Sequence, residues 1–390
     1  MRMKAHGVVL AIQDTTFLNY SHHPRTEGLG VLGGRKEFAQ HGFGVHSTIV
    51  VTPQGQPLGI LTQQYFERAN KETSAPRRRM QQQPIEEKES YRWIEAFEKT
   101  IAQSPEGVQV VTVCDREGAI YEMFTMAQER QASLLVRASA DRRLDEESLS
   151  LWAKVESQKV VGELSIDIAG NGKRQARQAA VSVRYCTVTL RPPWRPQQKK
   201  LPPVTLTAIL VREEDPPAHV EEPVEWLLLT NTPVEDFNQA AQVIDWYCCR
   251  WQIEIFHKII KSGCRVEDCR LQTAARLKNY IALMCVVAWR LQWLTYINRT
   301  APTSPCTTIL TDIEWQALYM RIHKTTLIPE TIPSTHQAIR WIAQLGGFLG
   351  RKSDGEPGVV VIWRGWKRLQ DLAATWALVT DFHLQVVGNS

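Results

Sequence analysis

Five polar residues fall on one stripe of an otherwise apolar segment: Tyr247, Arg250, Glu254, Lys258 and Lys261. At about 100° per residue in a helix, offsets of 0, 3, 7, 11 and 14 fall within an arc of roughly 80°. The neighbours Trp246, Cys248, Cys249, Trp251, Ile253, Ile255, Phe256, Ile259 and Ile260 are apolar. A helix apolar nearly all round is buried, so a single polar stripe on it points toward a partner. A carboxylate among a phenol, a guanidinium and two ammonium groups suits a metal ligand beside a phosphate binder. The same spacing also fits an amphipathic helix with a solvated face, in which Glu254 and Lys258 make an ordinary i,i+4 pair.

Two further carboxylates share a context. Asp14 and Asp115 each follow a strand-like apolar run and each begins a polar stretch, Asp14-Thr15-Thr16 and Asp115-Arg116-Glu117-Gly118. Sites in α/β sheets form at the carboxyl ends of strands. Taken singly, each aspartate is as well explained as a turn or cap residue. With Glu254 they make three carboxylates from separate elements, a set able to hold two hard divalent cations for an in-line phosphoryl transfer. The lysine stripe favours a nucleic-acid substrate over a sugar, since glycosidases need two carboxylates and no such stripe.

The elements that must carry these residues can be read along the chain. Strand-like runs at 8–12, 46–52 and 57–63 are joined by short connections, the last by the turn Pro53-Gln54-Gly55-Gln56, which indicates antiparallel pairing. Helical spacing at 85–103, a strand at 108–113, a helix at 120–129 and a strand at 133–136 come next. This β-β-β-α-β-α-β order, a meander followed by crossover units, is the pattern of the ribonuclease H-like α/β fold. Residues 77–83 read as an exposed basic loop. From about 141 to 228 short strands alternate with Pro-Pro pairs, as in a β-rich insertion. It carries a basic stretch (Arg191, Arg195, Lys199, Lys200), then an acidic one (Glu213, Glu214, Asp215, Glu221, Glu222, Glu225). Trp226 opens a strand, and Pro233 then opens the striped helix, which runs to Gly263. A second long helix spans 273–298, and helical segments at 313–323, 335–345 and 363–378 complete the chain.

Composition sets wider bounds. The chain has 390 residues, 43% hydrophobic and 22% charged, and a net charge of +5 that permits a polyanionic partner without requiring one. Its eight cysteines form no CxxC pair and read as reduced core residues of a cytoplasmic protein. The apolar run at 281–289 is too short to span a bilayer, and no signal peptide precedes the first strand.

The spacing Tyr247-x2-Arg250-x3-Glu254-x6-Lys261 resembles the Y-R-E-K signature of a branch of bacterial insertion-sequence DDE transposases. The string Arg250-Trp251-Gln252-Ile253-Glu254-Ile255-Phe256-His257-Lys258 is similar to its transposon-five type. The likeness extends from 11–16 through 113–118 to 345–348, 354–358 and 363–371, nearly the whole chain. It implies a DDE triad of Asp14, Asp115 and Glu254 binding two Mg²⁺ ions, for which Mn²⁺ can substitute. It implies that Tyr247, Arg250 and Lys261, with Lys258 and Arg137, grip phosphates near the cleaved end, and that Trp226 stacks on a flipped base. The implied reaction is cut-and-paste transposition of double-stranded DNA: nicking, hairpin formation and opening, then strand transfer within a synaptic homodimer.

The resemblance implies a catalytic domain over 1–300 and a helical dimerisation domain over 301–390. Relatives carry a helical end-binding domain ahead of the first aspartate, which this sequence is expected to lack. The alternative reading is therefore a truncated, non-mobilising relic or inhibitor that dimerises with a full-length transposase. Ala119 also stands where relatives carry an acidic residue.

Overall fold

The computed structural model describes residues 2–33, 39–67, 83–145, 148–168, 170, 176–194 and 200–387, without the side chains of 380–387. The basic loop expected at 77–83 lies almost wholly outside these residues, as do Arg195 and Lys199 of the basic stretch. The chain divides into two compact units. The first comprises Met1–His22 and Leu29–Glu254, the second His23–Gly28 and Ile255–Ser390. The expected change of domain near residue 300 rests on the family resemblance. The division by contacts falls within the striped segment and assigns the long helix after it to the second unit.

The first unit is a ten-stranded mixed sheet with helices. Strands β1 (Val8–Asn19), β3 (Gln40–Val51) and β4 (Pro57–Phe66) form the expected antiparallel meander. The β3–β4 turn closes through Gly55, whose N–H donates to the Thr52 carbonyl at 2.8 Å with φ at +81°. Only a residue at ease with positive φ sits there without strain. A short strand, β2 (Gly30–Gly33), pairs with the first residues of β3. Its two glycines and short length carry little strand signal in the sequence.

Strands β5 (Gln109–Cys114) and β6 (Ser133–Arg137) then add in parallel beside β1, with helices α1 (Tyr91–Gln103) and α2 (Tyr121–Glu129) in the connections. The core order β4-β3-β1-β5-β6 is consistent with the ribonuclease H-like arrangement.

The range expected to be a β-rich insertion is built of strands that join the main sheet. Its strands β7 (Gly162–Ile168), β8 (Arg177–Leu190), β9 (Val204–Arg212) and β10 (Glu225–Thr230) extend the same sheet antiparallel in the order β6-β10-β9-β8-β7. The short helix α3 (Leu151–Glu156) packs against β8 and β9. The physical reason is an open edge: β6 presents unpaired N–H and C=O groups unless another strand takes them. One continuous core runs beneath, from Trp93 and Phe97 of α1 through Phe124 and Leu134 to Leu190, Leu206 and Leu227.

The striped helix is also interrupted. Helix α4 starts at Phe237, not at Pro233, because Asp236 caps it by accepting from the Gln239 N–H at 2.8 Å. It ends at Cys248, and α5 (Trp251–Lys258) comes after a tight turn. Across the junction Arg250 N–H donates to Tyr247 C=O at 2.9 Å and Gln252 N–H to Cys249 C=O at 2.9 Å. These i→i−3 bonds wind the chain tighter than an α-helix. Ile259–Gly263 then forms a π-helical turn. The stripe is thus carried by three local geometries, not by one regular 100° spiral.

The second unit is helical: α6 (Ala274–Thr300), α7 (Asp312–His323), α8 (Thr335–Leu345) and α9 (Val359–Val387). Thr273 caps α6, and capping boxes start α7 (Thr311 with Glu314) and α8 (Ser334 with Gln337). By length and composition alone α6 could cross a membrane. Its Leu277, Ile281, Cys285, Ala288, Leu291 and Leu294 recur at helical spacing and are buried, the pattern of a core helix. All eight cysteines are free thiols.

Helices α8 and α9 meet through glycine. A Cβ on Gly365 would stand 1.6 Å from the Ile342 carbonyl oxygen, and one on Gly346 would stand 1.9 Å from that of Val361. The backbones touch, and no side-chain rearrangement makes room. Gly365→Ala is therefore expected to destabilise the helical unit by about 2–3 kcal/mol, the scale of core overpacking. Urea unfolding followed by circular dichroism measures it; an unchanged midpoint would contradict this contact.

Candidate active site

Register brings the two aspartates together. The parallel pairing of β1 with β5 runs Val8↔Gln109 to Ile12↔Val113 and stops. Two residues further along each chain are Asp14 and Asp115, so the register aims both toward the same face of the sheet, near enough for the charge of Asp115 to act on Asp14. The sequence placed Asp14 at the end of a strand. In fact β1 continues to Asn19, held on its other side by β3, with Asp14 opposite Ser47. Only the β5 side has ended. Burial gives the same picture: 8–13 is nearly all enclosed, and solvent first reaches β1 at Asp14 and Thr15.

Each carboxylate is held by a backbone amide. Thr15 N–H donates to Asp14 Oδ1 at 2.7 Å. Asp115 caps a short 3-10 turn (Arg116–Gly118) by accepting from Glu117 N–H at 2.9 Å. Gly118 is required there, since a Cβ would come within 2.4 Å of the Cys114 Cβ. Ala119 is buried in the core behind this turn and its carbonyl accepts from Arg142 at 2.6 Å.

Asp14 keeps some contact with solvent, yet enough protein surrounds it that burial pushes its carboxyl up to about 7. The Thr15 amide works against this rise, and the negative charge of Asp115 adds to it. Arg250 lowers the value and Glu254 raises it, so the charges of α5 and its preceding turn reach Asp14 as well.

Glu254 is engaged locally. Its Oε1 accepts from Arg250 Nη2 at 2.8 Å, an i,i+4 pair in which Arg250 is largely buried and Glu254 half exposed. The i,i+4 partner of Glu254 is thus Arg250 on the preceding turn, where the solvated-face reading of the stripe places Lys258. Among the described residues no three His, Cys, Asp or Glu side chains stand close enough to form a ready metal cluster. The donor chemistry nevertheless fits a hard divalent cation: three all-oxygen carboxylates whose mutual repulsion raises the pKa of the most buried one. The Arg250 contact engages Glu254 Oε1.

Tyr247 and Arg250 join this site to the β10 edge. Tyr247 is 4% exposed, and its ring meets that of Trp226 edge-on, with centroids 5.2 Å apart. Burial raises its phenol pKa, with Arg250 and Arg137 opposing, so the hydroxyl stays protonated and can donate. Arg137, at the end of β6, is hydrogen-bonded to the Tyr247 side chain, and its Nη2 donates to the Glu225 carbonyl at 2.8 Å. Trp226 is half-buried on β10. The structure therefore brings Asp14, Asp115, Tyr247, Arg250, Glu254, Arg137 and Trp226 into one neighbourhood of the first unit. Thr15, His46, Arg92 and Glu117 lie directly behind the aspartates. The sequence did not single out their side chains, because Arg92 reads as an ordinary helix-surface cation.

Lys258 and Lys261 belong to the second unit. Lys258 is exposed and lines a cavity of about 740 Å³ together with Phe348, Asp354 and Glu356. Lys261 sits in the π turn. Nearby His257 is buried, and burial followed by the Lys261 charge depresses its pKa to about 3. An unfolded histidine binds a proton near pH 6.5, whereas the folded one stays neutral until about pH 3. Its contribution to stability is present above pH 6.5 and falls as the pH drops toward 3, by at most about 1.4 kcal/mol per pH unit. His257→Gln is therefore expected to flatten the loss of urea stability between pH 7 and pH 5. Parallel pH curves for the two proteins would contradict the shift.

Two family models match this chain. Residues 73–290 match the Transposase DDE domain, and residues 286–377 match the Transposase Tn5 dimerisation domain. The first spans more than half of the chain and contains Asp115 and Glu254 with the residues around them; the second takes up the helices beyond it. The chain belongs to the DDE transposases of the Tn5-like kind.

Proposed function

We propose that this chain carries out cut-and-paste DNA transposition with Asp14, Asp115 and Glu254 as its triad, within the Y-R-E-K branch of its family. The observation that carries this reading is the β1–β5 register. It puts two carboxylates side by side at the point where the parallel sheet ends, within electrostatic reach of Arg250 and Glu254. The three carboxylates would hold two Mg²⁺ or Mn²⁺ ions, which when bound supply Lewis acidity and positive charge for the attacking and leaving oxygens.

The chain's own residues do the rest. Tyr247, protonated and fixed against Trp226, donates a hydrogen bond to a phosphate oxygen. Arg250 pairs with Glu254 until an incoming phosphate competes for its guanidinium, whose planar fork can grip two phosphate oxygens at once. That exchange frees Glu254 as DNA arrives, so substrate binding and completion of the acidic set are coupled. Arg137, turned by the Glu225 carbonyl, adds a second guanidinium. Trp226 has one side committed to Tyr247 and offers the remainder of its ring to a displaced base, a contact worth about 1–3 kcal/mol. Lys258 and Lys261 extend the phosphate grip. Residues 286–377 would form the homodimer in which two DNA ends are synapsed.

Incubating the purified protein with labelled transposon-end DNA and Mg²⁺ tests this. Nicks, hairpins and strand-transfer products are expected. Asp14→Asn and Glu254→Gln are each expected to lower cleavage by about 10³-fold, the scale of losing a transition-state stabiliser, with DNA affinity little changed. Unchanged cleavage in either variant would overturn the triad. Binding should weaken steeply as salt rises, because phosphate contacts dominate such interfaces. A flat salt response would exclude the phosphate roles of Tyr247, Arg250, Lys258 and Lys261.

A further inference from the structure

Asp14 and Asp115 lie on different segments, yet the amides that hold them are joined through a single side chain. Thr15, whose N–H holds Asp14, also presents a hydroxyl that accepts from Arg92 Nε at 3.1 Å. Glu117, whose N–H holds Asp115, presents a carboxylate that accepts from Arg92 Nη2 at 3.1 Å. The contacts close a loop: Asp14, Thr15, Arg92, Glu117, Asp115. Arg92 is fixed from every side. Its Nη1 donates to the Glu89 carbonyl at 2.5 Å, its guanidinium lies 4.8 Å from the Phe66 ring centroid, and its side chain is only 10% exposed. Thr15 is fixed in turn, since its hydroxyl also bonds His46 Nδ1 at 2.8 Å, and His46 packs edge-on to Trp93 at 4.6 Å. Arg92 and Trp93 are consecutive in α1, so one helix turn supports the loop both through the guanidinium and through the indole.

We propose that Arg92 is a positioning residue that sets the separation and orientation of the two aspartates by clamping the segments bearing them. The β1–β5 ladder ends at Ile12 and Val113, so past that point the sheet no longer fixes the spacing of the two chains. The guanidinium takes over that task with a planar fork that a lysine cannot reproduce. It touches neither carboxylate and acts through Thr15 and Glu117. This inference rests on the triad reading for its catalytic consequence but not for its structural one.

Two readouts test it separately. Amide hydrogen exchange of the protein without DNA or metal needs no activity. Arg92→Met is expected to speed exchange at Thr15 and Glu117 together, by about tenfold or more, while amides within the β1–β5 ladder at residues 9–12 stay protected. Exchange unchanged at these two amides overturns the clamp whatever the enzyme does. Cleavage of end DNA supplies the second readout. Arg92→Met is expected to lower kcat by roughly 10²-fold, the scale of an ångström-sized misplacement, with KM for DNA within about twofold. Glu117→Ala, at the exposed end of the loop, is expected to leave folding undisturbed and to lower kcat by about threefold to tenfold. The double variant should be no slower than Arg92→Met alone, because both substitutions break one chain of contacts. Multiplying losses, a change in KM alone, or full activity of Glu117→Ala would each overturn the proposal. Loosened amides in Arg92→Met, together with a wild-type protein that cuts no DNA, would instead uphold the clamp and refute the triad reading.

Discussion

Everything at the acidic site depends on where one parallel ladder stops. Strands β1 and β5 run in register for five residues, and β5 then turns away while β1 continues along β3. Parallel neighbours present in-register side chains to the same face, so the last shared positions act as a ruler for the residues just beyond them. Had β5 been one residue longer or shorter, Asp115 would face the opposite side of the sheet, because the side-chain period is two. The apolar run Val110–Val113 thus does more than fill a core; its length sets the phase of a carboxylate.

Charge is then arranged around this pair by a small number of guanidinium groups. Arg250 acts on Asp14, Glu254 and Tyr247 together, Arg137 joins Tyr247 to the β10 backbone, and Arg92 stands behind the aspartates. Each is largely enclosed, and each has partners on more than one element. Arginine suits this use because its charge survives burial and its fork can bond in several directions at once. Arg250 alone offsets the charge at Asp14 directly, while Arg137 and Arg92 hold the residues around the acidic centre.

Much of this was legible in the sequence, for identifiable reasons. The strands at 8–12, 46–52 and 57–63 announced themselves by β-branched runs and a Gly55 turn, and the helices of the second unit by their caps. Asp14, Asp115 and Glu254 stood out because each interrupts an apolar context. The break at Cys249–Arg250 left no trace, since the residues there have unremarkable helix propensities and the tightening is set by tertiary surroundings. Arg92 was equally hidden: its role depends on Thr15 and Glu117, 77 and 25 residues away in the chain. The Pro-Pro pairs between 141 and 228 marked a β-rich insertion, but punctuation marks loops and says nothing about which strand edge their flanking segments join.

The continuity of that sheet governs how the molecule tolerates change. Since β10 is zipped to β6 and carries Trp226 against Tyr247, the added strands form a gradient of constraint across one sheet. Near β6 a small displacement would be felt at Tyr247 and Arg250. Toward β7 the same displacement is absorbed by strands with no link to the acidic residues. The β8–β9 connection, where Trp194 stands 86% exposed among prolines, lies on the permissive side. Substitutions at the far edge of the sheet thus reach the acidic residues through more intervening strands than substitutions in its middle.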